Sequence, residues 1–346
     1  METVNTEGQI DAWNEARRIG KLVGNVSSLF STAIRFLKKD AEAGLKTISP
    51  STRFCLQRLM NSRSVKAPIY NAALCFRPEG LEGHAYISSD VLMAAFAPEE
   101  MATLLGLLYL YRRIQRTADE EEWKGLASQI HVPAELGGQI GRAIPNIGLG
   151  WGLLASSIRY LAWGLFLVAN QKGYIQYRRH LKIHGVPFDI AQEEKTWGCN
   201  HMEVASILIG AVSLGTSVSS ALLKGCPPST IAEKDLDRDA LRMRLAGVWL
   251  NALKDTGAQP QITHRGEFYP LRPELERLLQ RTESIRKDGC KIPFFAKGKD
   301  DISPILTPTL YSPEDIIEYE SRDEAADEIA AEEMAPPEEE AKPTNG

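Results

Sequence analysis

Apolar residues recur at the spacing of an α-helix along most of this chain. The pattern predicts an all-α protein, with amphipathic helices over residues 10–36, 52–63, 101–117, 172–184, 235–254 and 270–287. Between residues 67 and 88 the pattern weakens around Pro68 and Pro78, so helix, short strand and loop are left open there.

Two helix starts are marked by local chemistry. Ser88-Ser89-Asp90 is a capping sequence for a short helix over 91–96. Ala97-Pro98-Glu99-Glu100 predicts a second start, because proline in the first turn costs no helical hydrogen bond and the two carboxylates complement the helix dipole.

The segment 151–169 is apolar enough to be compared with a membrane-spanning helix. It has nineteen residues and one charge, Arg159, near its centre. An arginine at the centre of a bilayer costs about 2.5 to 3.5 kcal/mol on insertion scales. We therefore expect a buried helix of a globular domain and no membrane span.

Glycines are frequent between residues 133 and 152. Neither a G-x-G-x-x-G nor a G-x-x-x-x-G-K-[ST] motif is formed there, so a phosphate-binding loop is not indicated. Close helix packing or tight turns account better for these glycines.

The net charge of −5 over 346 residues is unevenly distributed. Residues 314–346 contain thirteen Asp and Glu against Arg322 and Lys342, a local charge of −11, which leaves +6 on the rest. We expect residues 319–346 to form a disordered acidic tail. A charge of +6 spread over the body argues against nucleic acid as a partner. The basic helix ends at 112–116 and 178–182 are candidate docking sites for the tail.

Five cysteines occur, an odd number without a C-x-x-C pair, and the first residues do not resemble a signal or transit peptide. A reducing cytoplasm is therefore the expected location.

Residues 174–203 hold most of the candidate chemistry. His180 and His184 stand four apart and, with His201, form a weak candidate for a metal site. The zinc-protease motif has Glu directly after the first His, and Leu181 stands there instead. Three basic residues of the same segment are possible phosphate or partner contacts: Arg178, Arg179 and Lys182.

The stretch from Glu194 to Leu208 (EKTWGCNHMEVASIL) resembles the segment E-x-x-x-[FW]-G-x-x-H-x-x-[VA]-[GA]-x-x-L of HDOD domains, the HD-related output domains of bacterial signalling proteins. The residues that carry the resemblance are Glu194, Trp197, Gly198 and His201. It implies structural roles for them: a hydrogen bond between Glu194 and His201 across a helix turn, and a close approach at a helix start permitted by Gly198.

Where the related hydrolases carry a His-Asp pair for metal ions, this chain has Leu167-Val168. The resemblance thus implies a non-catalytic bacterial signalling or regulatory protein, without a cofactor, that acts through a protein partner or by sensing a small ligand. A metal-dependent phosphohydrolase of HD ancestry is the alternative. The expected organisation is a mostly helical region over 1–130, an HD-like helical bundle over 131–290, a loop-rich extension over 291–318 and the tail.

Overall fold

The computed structural model describes residues 6–84, 86–262, 265–290 and 295, and this part of the chain contains helices and no β-strand. The prediction of an all-α protein is confirmed for these residues. Fourteen α-helices are described: α1 (Thr6–Gly20), α2 (Ser28–Glu42), α3 (Pro50–Met60), α4 (Arg63–Phe76), α5 (Ser89–Ala94), α6 (Pro98–Thr117), α7 (Glu120–Ala143), α8 (Leu149–Ala169), α9 (Gln171–His184), α10 (Ile190–Trp197), α11 (His201–Ala211), α12 (Thr216–Gly225), α13 (Arg238–Asp255) and α14 (Arg272–Asp288).

The two predicted helix starts are confirmed. Ser88 caps α5 by accepting the backbone N–H of Val91 on its hydroxyl oxygen, at 3.3 Å. Helix α6 begins at Pro98, and the Glu100 carboxylate accepts the backbone N–H of Ala97 at 3.0 Å. Both starts are specified locally, because each cap uses residues within three positions of the helix end.

The prediction of one continuous helix over 10–36 is wrong, because two helices form there. Helix α1 ends at Gly20, a short 3₁₀ turn follows over Lys21–Val23, and α2 begins at Ser28. Gly24 has a φ of 73°, which lies in the left-handed region where only glycine is unstrained. The apolar spacing continues across this break because both helices bury one face in the same core.

Helix α8 is the central element and packs against α6, α7, α9, α11 and α13. Its contact with α7 is a seam between two backbones. A Cβ atom added to Gly152 of α8 would overlap the carbonyl oxygen of Gly137, and one added to Gly141 of α7 would overlap that of Gly148. Of the two explanations for the glycines, close helix packing applies to this seam.

The boundary expected between residues 130 and 131 falls inside α7, which continues from Glu120 to Ala143 without a break. Buried apolar residues from both sides of it, from Ala16 to Ile285, belong to one hydrophobic cluster. No change of packing therefore marks this boundary in the described residues. The extension 291–318 (apart from Phe295) and the acidic tail 319–346 lie outside the described residues.

Helix α8 is also the one helix in the described residues with the length and hydropathy of a membrane span. In the most apolar window of this helix, 78% is buried inside the protein. Helices packed against α8 thus cover most of the apolar surface that a bilayer would otherwise contact.

Candidate functional site

The segment that resembles HDOD domains folds as a helix-turn-helix of α10 and α11. Helix α10 ends at Gly198, whose φ of 74° gives the left-handed conformation common at helix C-termini. The next helix is capped by Asn200, whose side-chain oxygen accepts the backbone N–H groups of Met202 and Glu203 at 3.0 and 3.2 Å. Gly198 was expected at a helix start, and it lies instead at the end of the preceding helix.

The carboxylate that binds His201 belongs to Glu193, so the expected bond from Glu194 is wrong. Glu193 is fully buried, whereas Glu194 is exposed and accepts only a 3.3 Å hydrogen bond from the Asn200 side chain among described residues. Helix geometry explains the difference. Glu193 precedes Trp197 by four residues and shares its buried face, and Glu194 is rotated away by one position.

Four hydrogen bonds converge on the Glu193 carboxylate. Oε1 accepts the indole N–H of Trp163 at 3.0 Å and the hydroxyl of Tyr177 at 2.5 Å. Oε2 accepts the backbone N–H and the ring Nδ1–H of His201 at 2.8 and 2.7 Å. Because a carboxylate has about four lone-pair sites, these donors use its full accepting capacity. The four donors and the acceptor join α8, α9, α10 and α11 at one point.

The electrostatics of this cluster favour an ionised Glu193. Burial alone would raise the pKa of its carboxyl group, but the hydrogen bonds from His201 and Tyr177 outweigh it and hold the pKa below its ordinary value. An ionised carboxylate only accepts hydrogen bonds, which assigns a proton to Nδ1 of His201. Burial and the neighbouring carboxylate also raise the pKa of the Tyr177 hydroxyl, so this group stays a donor.

Aromatic rings pack around the same point. Phe166 and Trp197 are stacked, with centroids 4.2 Å apart and planes at 4°. Tyr177 meets Trp197 edge to face at 5.5 Å. Trp197 therefore holds α10 against α8 and α9. Leu167, which the resemblance aligns with the histidine of the related hydrolases, is buried in the core.

The three histidines of the metal alternative divide into two environments. His180 and His184 lie close together on α9, with ring centroids 4.3 Å apart. His180 Nε2 is bonded to Asp189 at 2.8 Å, and Asp189 also caps α10. His201 is buried against Glu193. Within the described ranges, no three His, Cys, Asp or Glu side chains are grouped so that they could hold a metal ion.

A cavity of about 660 Å³ lies beside the buried cluster, and we call it the basic cavity. Five cationic side chains line it, together with Gln129, Tyr160, Trp163, Leu181 and the 185–187 turn: Arg159, Arg178, Arg179, Lys182 and Lys254. Its lining includes no Asp or Glu among the described residues. The three basic residues singled out in the sequence, Arg178, Arg179 and Lys182, thus lie on one wall of a concave site.

Arg159 links the basic cavity to the aromatic cluster. Its guanidinium carbon lies 5.3 Å from the ring centroid of Trp163 and 5.4 Å from that of Phe188. The Arg178 guanidinium lies 5.8 Å from the Trp163 ring. Because the Trp163 N–H is bonded to Glu193, one side chain contacts both the cavity and the buried carboxylate.

Sequence reasoning missed Glu193, Arg159 and Lys254 as site residues. A signal for Glu193 was present in its four-residue spacing from Trp197. Arg159 and Lys254 had no local signal, because they reach the cavity from α8 and α13, which are far apart in sequence.

No family model matches this chain, and neither a curated protein nor a solved structure matches it. The resemblance to HDOD domains thus stays a prediction from the residues quoted above.

Proposed function

We propose that this protein is a non-catalytic regulatory module of bacterial signalling that acts by binding a small ligand or a protein partner. The observation that carries this proposal is that the Glu193 carboxylate is fully hydrogen-bonded within the fold. All four of its lone-pair sites accept hydrogen bonds from within the fold, and its partner His201 is 1% exposed.

This arrangement suits a structural pair better than a catalytic one. A general base or metal ligand needs a free lone pair within reach of water or substrate. Glu193 offers none, and the remaining lone pair of His201, on Nε2, belongs to a side chain that is only 1% exposed and so has little access to water or substrate. His201, the motif residue that a hydrolase would use for chemistry, is instead bonded to Glu193 in a cluster that joins four helices.

The runner-up function is a metal-dependent phosphohydrolase, favoured by the closeness of His180 and His184 on α9. Their basic neighbours Arg178, Arg179 and Lys182 would repel a metal cation electrostatically. His180 is also engaged with Asp189. We therefore rank this function second.

The two functions are separated by metal analysis and by phosphodiesterase and phosphatase assays of the purified protein, with and without added Mn²⁺. We expect no stoichiometric metal and no turnover. Bound Mn, Fe or Zn together with turnover would overturn the proposal. His201→Ala is a poor test alone, because it removes a buried group. His184→Ala, at an exposed position, is the informative variant, since the runner-up function predicts that it abolishes any turnover.

A cytoplasmic location belongs to the same proposal and is supported by the odd number of cysteines. None of the five cysteines forms a disulfide in the described residues.

A further inference from the structure

We propose that the basic cavity binds a small organic phosphate with at least two negative charges. This inference rests on the proposed regulatory function, because it names the chemical class of the ligand that such a module would sense. Three observations on the described residues support it: the uncompensated positive charge of the cavity, the buried Nε–H of Arg159 without a partner, and the volume of the cavity.

The charge imbalance of the cavity is the first argument. Arg159, Arg178, Arg179, Lys182 and Lys254 face one concave space, and the described residues place no carboxylate in its lining. None of the five forms an ion pair within the described part of the chain. Some cationic side chains elsewhere on the protein are paired, as Arg77 is with Glu100 and Arg242 with Asp239. Like charges gathered without a counter-charge repel one another, and a polyanion relieves that repulsion.

The second argument is the Nε–H donor of Arg159. This nitrogen is buried and has no hydrogen-bond partner among the described residues. A buried donor left unpaired costs about 1 to 3 kcal/mol, and native structures usually satisfy such groups with an ion, water or ligand. Arg159 is held over three aromatic rings, which fixes the guanidinium close to the cavity.

The shape of the cavity sets the size of the ligand. A volume of about 660 Å³ lies in the range of small-molecule sites, roughly 300 to 1,000 Å³. Two of the arginines, Arg159 and Arg178, are partly buried against Trp163 and are therefore restrained in position. The planar guanidinium fork matches phosphate oxygens better than a lysine does, so these two are the expected primary contacts. The exposed Arg179, Lys182 and Lys254 would then contact a second anionic group.

Trp163 connects the basic cavity to the buried Glu193 cluster. Trp163 faces the basic cavity and donates its N–H to Glu193, the carboxylate that joins α8 to α11. An anion drawing Arg159 and Arg178 toward itself would change the cationic field over the Trp163 ring. We expect that change to appear in the tryptophan emission of the full chain.

The test is titration of the full chain with pyrophosphate, followed by calorimetry and tryptophan fluorescence at 0.05 and 0.15 M salt. Inorganic phosphate and sulfate, which carry one anionic group each, serve as comparison anions. We expect saturable binding of one pyrophosphate per chain, tighter than phosphate, with a change in emission. The fold-safe variant is Arg179→Gln with Lys254→Gln, both at exposed positions. It should weaken binding by about tenfold or more, as expected for loss of charged hydrogen bonds.

The matched control removes the same charge away from the cavity. Lys172 lies on α9 and Lys234 in the turn before α13, and both are exposed and outside the cavity lining. Lys172→Gln with Lys234→Gln should leave pyrophosphate affinity within about twofold of the wild type, since exposed distant charges are largely screened.

Two results overturn the inference. One is the absence of saturable pyrophosphate binding to the wild-type chain. The other is an equal loss of affinity in the cavity variant and the control, which indicates unspecific charge attraction. Either result leaves the non-catalytic assignment standing. If the protein released phosphate from an organic phosphate bound in the cavity, the anion site would be supported and the non-catalytic assignment would be overturned.

Discussion

A single oxygen atom of Glu193 fixes both the backbone and the side chain of His201. Oε2 accepts the N–H that begins α11 and the ring Nδ1–H, at 2.8 and 2.7 Å. The start of the helix and the orientation of its first side chain therefore depend on the same buried carboxylate.

Replacing that carboxylate should lower the free energy of unfolding substantially. Glu193→Gln keeps the size of the side chain but presents an amide N–H₂ toward N–H donors, so we expect a loss of about 3 to 5 kcal/mol in the free energy of unfolding. Glu194→Gln, one position away and exposed, should change it by less than about 0.5 kcal/mol. Urea unfolding of both variants checks this. Equal effects would contradict the placement of Glu193 in the buried pair.

The contribution of Glu193 should depend on pH. Its pKa in the folded protein lies below the ordinary value, so its charge stabilises the fold fully above the unfolded pKa of about 4.3. That stabilisation is lost as the pH falls through the lower folded pKa. Unfolding free energies of the wild type and Glu193→Gln should therefore differ most near pH 7 and converge on acidification below about pH 4.3. A constant gap down to pH 3 would show that ionisation of Glu193 contributes nothing.

Alanine substitutions at two glycines of α7 and α8 should change the stability of the protein in opposite directions. Gly152→Ala places a methyl group against the carbonyl oxygen of Gly137, and we expect a loss of at least about 1 to 3 kcal/mol. Gly125 lies in α7 with open space around its Cβ position, so Gly125→Ala should stabilise the protein by about 0.5 to 1 kcal/mol. Thermal unfolding of the two variants distinguishes these signs. Stabilisation by both would mean that the helices are not in backbone contact at Gly152.

The acidic segment 314–346 should compete with anions for basic surface. Its charge of −11 and the basic helix end at 178–182, which lines the basic cavity, predict that its deletion strengthens pyrophosphate binding at 0.05 M salt. The effect should fade at 0.5 M salt, where the Debye length is only about 4 Å. Calorimetry on the full and shortened chains measures it. An unchanged affinity at low salt would show that the segment does not dock there.

Local chemistry was enough to place the starts of α5 and α6, because Ser88, Pro98 and Glu100 act within one turn of the helix end. The break after α1 was missed because the apolar spacing persists through Gly24, whose positive φ has no counterpart in a hydrophobic pattern. The motif 194–208 spans the turn between α10 and α11 and includes His201. It pointed to Glu194, but Glu193, four residues before Trp197, lies on the same buried helix face and binds His201.

The basic cavity was visible in the sequence only in part. Arg178, Arg179 and Lys182 are neighbours on one helix and were recognised as a group. Arg159 looked like the charge that interrupts an apolar segment, and Lys254 like the basic end of an amphipathic helix. Their meeting depends on how α8 and α13 pack against each other, and that is a property of the tertiary fold.

The glycine seam also bears on how a ligand in the basic cavity would affect the fold. Because no side chain lies between Gly137 and Gly152, α7 and α8 are in direct backbone contact, and we expect them to move together. Arg159 and Trp163 lie on α8, whereas Arg178, Arg179 and Tyr177 lie on α9. A ligand that contacts both arginine groups would therefore bridge α8 and α9, and the Tyr177 hydroxyl, bonded to Glu193, links α9 to α10.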